Sequence, residues 1–518
     1  MKKTLSTLAI ALVLASCGSS KNQEATTKVK EPANPTKYAE TITAEDLKTA
    51  LYVYAGDAFE GRETGEKGQK MAVDFIKEHY IEDGVPAAKA DGNYFQDVPL
   101  EVMAPADINL SVNGKTFKTI EDFTSVSSAK DGTLDTKEIV FAGFGIEDTN
   151  YSSYDGIDVT GKVVVIRSGE PKKVDGMYVI TGTEEASKWS NFRQEFSSKQ
   201  EIAKSKGAKA LLFYHPDIYS MVANRFGSAS GRMNLAGGGE DMMYMFINTD
   251  LAKALVSDIE TNEKSMSAKT EVSITYKSNA KKISSENVAA IIRGSEKPDE
   301  YIVISAHLDH EGIKDGKVYN GADDDGSGTV AVLEIAEAFA KAKKEGHGPK
   351  RSIVFLNVTG EEKGLLGSRH YTDNDPIFPL ANTVANLNID MIGRLDPKRE
   401  KKNRNYLYLI GSDKLSTELH NISEMVNTKY LNIDLDYTFN DENDPNRYYY
   451  RSDHYNFAKN NVPVIFYFNG THDDYHQPGD TPDKIEFDLL ENRTRLVFYT
   501  AWELANRDAR IVVDKATE

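Results

Sequence analysis

Five short stretches in the second half of the chain concentrate histidine and carboxylate side chains. They are His307-Leu308-Asp309-His310, the loop from Asn320 to Gly328 with Asp323, Asp324 and Asp325 in a row, Glu361-Glu362, Asp390-Met391, and His476 with Asp480-Thr481. Imidazole nitrogen and carboxylate oxygen are donors that zinc accepts. One zinc would use three of them. Five, one able to bridge, suit a pair of metals roughly 3.5–4 Å apart sharing a water. Such a pair lowers the pKa of that water and polarises a carbonyl. A carboxylate beside the water can take its proton and pass it to a leaving amine. Glu361 and Glu362 are neighbours at a strand end, so their side chains diverge, and one can face the metal while the other faces the water. Asp309, two residues beyond His307, can accept the ring N–H that the metal leaves free.

Taken singly, each stretch has a plainer reading. An Asp-rich turn caps a helix or lies in a solvated loop. Paired glutamates suit the positive end of a helix, here one opening near Gly364. The joint occurrence of all five reverses those odds. His79, His215, His347 and His420 lack partner carboxylates at ligand spacing and read as structural or surface residues.

The elements that must position these residues alternate. Tyr301 to Ser305 is an apolar, β-branched run and reads as a buried strand; further strands follow at 352–358, 384–389, 406–410 and 464–468. Gly328 to Lys344 reads as a helix with Val332, Ile335, Ala336 and Phe339 on one face, and a long helix closes the chain over 489–506. This alternation predicts an α/β domain over 286–518, a mostly parallel or mixed sheet with helices on both faces. Ligands in such sheets bind beyond the carboxyl ends of the strands, where the five stretches fall. Residues 44–83 show helical periodicity, and 44–100 read as the N-terminal part of the same domain. Residues 101–285 differ, with short β-rich runs such as Ile139-Val140-Phe141 and Ala210 to Tyr214 between Gly and Asp turns, and read as a separate inserted domain.

These motifs, in this order and spacing, resemble peptidase family M28, zinc exopeptidases with a co-catalytic metal pair. The resemblance runs from about residue 44 to 508, with an insertion resembling a protease-associated domain. It implies that His307, Asp324 and Asp390 hold one Zn2+, and that Asp324, Glu362 and His476 hold the other, with Asp324 bridging. It places Glu361 as general base and Asp309 as the residue orienting His307. His454, in Ser452-Asp453-His454, falls in a stretch that supports the site in that family. Tyr449 is a candidate for stabilising an oxyanion, since a phenol can donate to developing charge.

The implied activity is removal of N-terminal residues from peptide substrates. A carboxypeptidase or an N-acyl amino acid amidohydrolase on the same fold is the alternative, with Arg394, Arg447 or Arg451 as partners for a substrate carboxylate. A binding protein that kept the fold would be expected to lose ligands, and a cyclising transferase on this fold uses one zinc. The five-donor set with its base favours hydrolysis.

The 518 residues carry a formal net charge of -18, which argues against nucleic acid as a partner. Lys2 and Lys3, the apolar run from Leu5 to Leu14, and Leu14-Ala15-Ser16-Cys17 follow the order of a secretory signal over residues 1–16. The small residues before Cys17 resemble the lipobox of bacterial lipoproteins. Cys17 is the single cysteine, so lipidation is its most economical role. These features predict a lipid-anchored protein of the bacterial envelope, with residues 17–43 a flexible tether.

Overall fold

The computed structural model describes residues 34–126, 128–227, 232–237, 239–401 and 403–515. The signal-like segment and Cys17 lie outside them.

At the centre of the larger sheet are four parallel strands: Arg351–Val358, Lys297–His307, Thr383–Ile389 and Val464–Phe468, in that spatial order. Residues 301–307, and the other three strands throughout, are buried. Parallel strands covered on both faces need continuous apolar runs, which is why these read so clearly from sequence. Toward one edge, Lys281–Ile292, Phe95–Val102 and Met233–Leu235 pair antiparallel. Toward the other, Tyr406–Ile410 runs antiparallel to Val464–Phe468 and carries Asp434–Asp436 parallel on its outer side. The sheet is therefore mixed, nine-stranded among the described residues.

Long helices cover one face. Gly328–Lys344 buries Val332, Ile335, Ala336 and Phe339, and ends on Lys341, Lys343 and Lys344, which suit the negative end of its dipole. Phe339 stacks on Trp502 of the closing helix Phe487–Asn506 at 5.7 Å. Short helices cover the other face, where Tyr371 and Phe457 pack against Val303, Val354 and Leu356. No helix among the described residues is long and apolar enough to cross a membrane.

Two boundaries differ from the sequence reading. The tether was expected to reach residue 43, but Pro35–Ala39 is helical and Tyr38 is fully buried. Tyr38 stacks on Trp502 at 5.6 Å, and its hydroxyl bonds to Glu345 and His347. One aromatic ring holding a short polar segment leaves no periodicity to read. The inserted region was expected over 101–285, but Glu101, Val102 and 281–285 belong to the large sheet, where Val102 pairs with Lys281 and Val98 with Ser285. Their polar, half-exposed alternation is that of sheet near an edge.

Apart from Met233–Leu235, the described residues between 107 and 277 build two further large sheets and a short two-stranded hairpin at 147–152. One has six strands, with Ile139–Phe141, Val163–Arg167, Ala210–Tyr214 and Met243–Ile247 parallel at its centre; the other has four antiparallel strands. Leu110, Phe123, Phe141, Val165 and Leu212 share the core between them.

Candidate metal centre

Parallel strands bring their carboxyl ends to one edge, and the five stretches meet there. His307 ends its strand. Glu361 and Glu362 follow Arg351–Val358 after Thr359-Gly360, Asp390 follows Thr383–Ile389, and His476 lies beyond Val464–Phe468. Asp324 sits in the turn entering helix Gly328–Lys344.

The side chains converge. His307 Nε2 lies 3.1 Å from Asp324 Oδ1 and 3.7 Å from Asp390 Oδ1. His476 Nε2 lies 3.1 Å from Asp324 Oδ2 and 3.1 Å from Glu362 Oε2. Asp324 thus faces both histidines, one with each oxygen. Glu361 Oε2 is 4.0 Å from His307 Nε2. The buried His307 Nε2, Asp324 Oδ2 and Glu362 Oε1 have no hydrogen-bond partner. Donor atoms this close that fail to align as hydrogen bonds point at a shared point rather than at one another. Nitrogen and carboxylate oxygen in that arrangement fit a borderline divalent cation.

The backbone around Asp324 is tied by carboxylates. Asp480 accepts from the N–H groups of Asp323 and Asp324. Asp325 accepts from those of His307, Gly328 and Met391, joining three loops. Gly328 is required there, because a Cβ would sit 2.4 Å from either Asp325 carboxylate oxygen. Asp390 is oriented by the Ser452 hydroxyl at 2.6 Å, and Ser452 in turn accepts from Asn388. Arg62 is buried and donates to the carbonyls of Tyr54, Leu308, Asn320 and Gly321, holding the first two stretches together. His476 adopts a left-handed φ of 54°, a conformation that non-glycine residues keep chiefly where the surroundings impose it.

Electrostatics follow from packing charge without water. Burial opposes a charge on His307, but Asp390, Glu361 and Asp324 outweigh it and raise its pKa well above the ordinary value. For His476 the same opposition, with Asp324 and Glu362 prevailing, gives about 10. Burial would raise Glu362, but His310 and His476 bring it down to about 2. Glu361 goes the other way: burial, then Asp390, Glu362 and Asp453, push it well above the carboxylate range. Adjacent glutamates with opposed proton affinities suit opposed tasks.

Two expectations need correction. Asp309 does not orient His307 with its carboxylate, which is 3.9 Å away; the backbone carbonyl of Asp309 takes the Nδ1–H at 3.0 Å. The carboxylate instead accepts from Thr64 and from the N–H of Glu361. A carbonyl two residues on reaches the ring because the chain turns sharply after the strand. Tyr449 does not line the cavity beside the cluster; Tyr448 does, with Arg451, Phe466, Phe468 and Tyr475. Tyr449 packs instead between His454 and Tyr450. The direction of three consecutive tyrosines in a 3-10 turn is set by the turn. Of the three arginines, Arg394 is committed to Asp474 and Arg447 lies over Tyr450, while Arg451 lies over Tyr448, donates to Tyr475 and lines the cavity. His454 stacks on Phe466, and burial takes its pKa down to about 3.

The sequence reading gave no individual role to Arg62, His310, Asp325 or Ser452. His310 and Asp325 stood inside two of the five stretches and Ser452 beside His454, whereas nothing local pointed to Arg62.

Residues 287–501 match the model of peptidase family M28. The match spans the parallel strands, the five converging donors and Glu361, which belong to the α/β part of this structure. Among curated relatives, a probable glutamate carboxypeptidase LAMP1 of Arabidopsis thaliana is 36% identical over 105 residues, 20% of this chain and 14% of that protein. Aminopeptidase NAALADL1 of Mus musculus is 34% identical over 128 residues, 24% of this chain and 16% of that protein. The chain thus spans about a seventh of the length of these relatives. Among solved structures, the aminopeptidase from Aneurinibacillus sp. strain AM-1 is similar with a TM-score of 0.48 and 19% identity, over 93% of this chain and 99% of that one.

Proposed function

We propose that the protein is a two-zinc exopeptidase that removes N-terminal residues from peptides. The observation that carries this is the convergence of His307, Asp324, Glu362, Asp390 and His476 on one edge of the sheet, with Glu361 beside them.

In this reading His307, Asp324 and Asp390 hold one zinc, and Asp324, Glu362 and His476 the other. When bound, the pair would supply an acidified water and a polarised carbonyl. Glu361 takes the proton of the attacking water and delivers it to the departing amine nitrogen. Asp309 fixes the backbone of Glu361 from behind by accepting its N–H. His307 keeps Nε2 free for a metal because Nδ1–H is committed to a carbonyl. Tyr448 lines the same cavity, and its phenol is our candidate for donating to an oxyanion.

A carboxypeptidase reading has one observation in its favour: Arg451 lines the cavity and could meet a substrate carboxylate. Support for a lipid anchor at Cys17, and so for a bacterial envelope location, is the charged, apolar and small-residue order of residues 1–17.

The deciding assay compares free, N-acetylated and C-terminally blocked aminoacyl substrates, with and without chelator. Chelator-sensitive cleavage that requires a free amine is the expected result. Cleavage that requires a free carboxylate instead would overturn aminopeptidase activity in favour of the Arg451 reading.

A further inference from the structure

We infer that His310 is a fourth protein ligand at the metal position of Asp324, Glu362 and His476, so that this position carries two imidazoles and the His307 position one. The inference rests on the metal-dependent reading above and adds a residue to it.

His310 is fully buried. Its Nδ1 lies 2.9 Å from Glu362 Oε1 and 3.8 Å from Asp324 Oδ2, and its ring meets that of His476 edge-on at 5.8 Å. At 2.9 Å a hydrogen bond is the ordinary expectation, yet neither His310 Nδ1 nor Glu362 Oε1 has a hydrogen-bond partner. The two atoms are close without being aimed at each other. His307 Nε2 and Asp324 show the same signature: 3.1 Å apart, yet His307 Nε2 has no hydrogen-bond partner. His310 Nδ1, Asp324 and Glu362 each offer one donor atom within a span that a single ion can bridge. The ring has no other polar anchor, since its Nε2 is also buried without a partner. It is held by its backbone: the N–H of His310 donates to the Arg62 carbonyl, and Gly321 leaves room, because a Cβ there would lie 2.5 Å from the imidazole Cγ.

Two imidazoles and two carboxylates complete a four-donor protein set, whereas the other position has His307, Asp390 and the shared Asp324. Imidazole favours zinc over harder cations, so the His310 position should fill first and empty last.

The test uses the full chain, stripped with chelator and titrated with Zn2+ by calorimetry, with X-ray absorption at the zinc edge to count imidazoles. The wild type should bind two zinc ions unequally, with three imidazoles shared between them. His310→Asn, which keeps an N–H donor, should weaken the tighter site about 10-fold or more and lose one imidazole. Two imidazoles in the wild type, or full affinity in His310→Asn, would overturn the assignment and leave the two-zinc reading standing. A wild type that binds no zinc overturns both. If His310→Asn does not reach the wild-type urea midpoint without metal, the wild-type imidazole count decides alone.

Discussion

The two mixed sheets with parallel centres both place buried charge at the carboxyl ends of their central strands, and they treat it in opposite ways. In the smaller sheet, Lys199 is fully buried and donates to Glu195 and to the carbonyls of Arg167 and Gly169. Glu195 also accepts from the N–H of Gly169 and lies 3.5 Å from His215. Every proton of the ammonium has an acceptor. In the larger sheet, His307, Asp324 and Glu362 keep buried donor atoms that no protein group satisfies. The fold supplies the same crevice twice. Chemistry belongs where the charge is left for something else to complete.

Substitutions can break or sharpen that contrast. The largest effect should come from Glu361→Gln, with kcat falling about 10²–10⁴-fold while zinc content by elemental analysis stays at the wild-type value. Loss of the metal in this variant would make Glu361 a ligand rather than the base. In the smaller sheet the matching experiment is Lys199→Met. Leaving Glu195 buried without its cation should cost about 3–5 kcal/mol in urea unfolding, and the double variant Lys199→Met, Glu195→Leu should recover part of it. Peptidase activity of the folded fraction should not change; a large loss would mean that the two strand-end clusters communicate.

Tyr448→Phe and Tyr449→Phe separate the cavity from its lining. The first should lower kcat several-fold to about 10²-fold, and the second should leave it within about two-fold. Equal effects would return the oxyanion role to the neighbouring tyrosine.

The smallest effect concerns a third buried acid, away from both strand ends. Glu334 lies on helix Gly328–Lys344 with one oxygen unsatisfied, and burial, then Glu337 and Asp46, raise its pKa to about 9. The fold keeps its proton more tightly than the unfolded chain does. Ionisation therefore costs nothing below the ordinary value of 4.5 and destabilises increasingly as pH rises toward about 9. Glu334→Gln should gain on the order of 1 kcal/mol at pH 8 and nothing at pH 4, read from urea midpoints. An equal gain at both pH values would show that charge is not the cause. Its carboxylate neighbours do not bring three donor atoms close enough to share one ion, so convergence, and not burial alone, marks the candidate metal centre.

Much of this organisation was legible in the chain itself. Strands buried on both faces must be continuously apolar, so Tyr301 to Ser305 and Val464 to Phe468 announced themselves, and the residues after them could be read as a crevice. Helix Gly328–Lys344 was readable from end to end because its periodicity runs unbroken from a glycine-rich turn to a lysine-rich end. What local pattern could not carry was direction. That the carbonyl of Asp309 and not its carboxylate meets His307, that Tyr448 and not Tyr449 faces the cavity, and that His310 turns toward Glu362 all depend on how loops cross in space. Arg62 is the clearest instance: its four carbonyl partners come from three separate stretches, and nothing near it in sequence suggests one of them. Residue types and their order determine which groups are available at the ends of the strands. Only the tertiary structure decides which lone pairs face one another, because that depends on backbone turns and contacts between residues hundreds of positions apart.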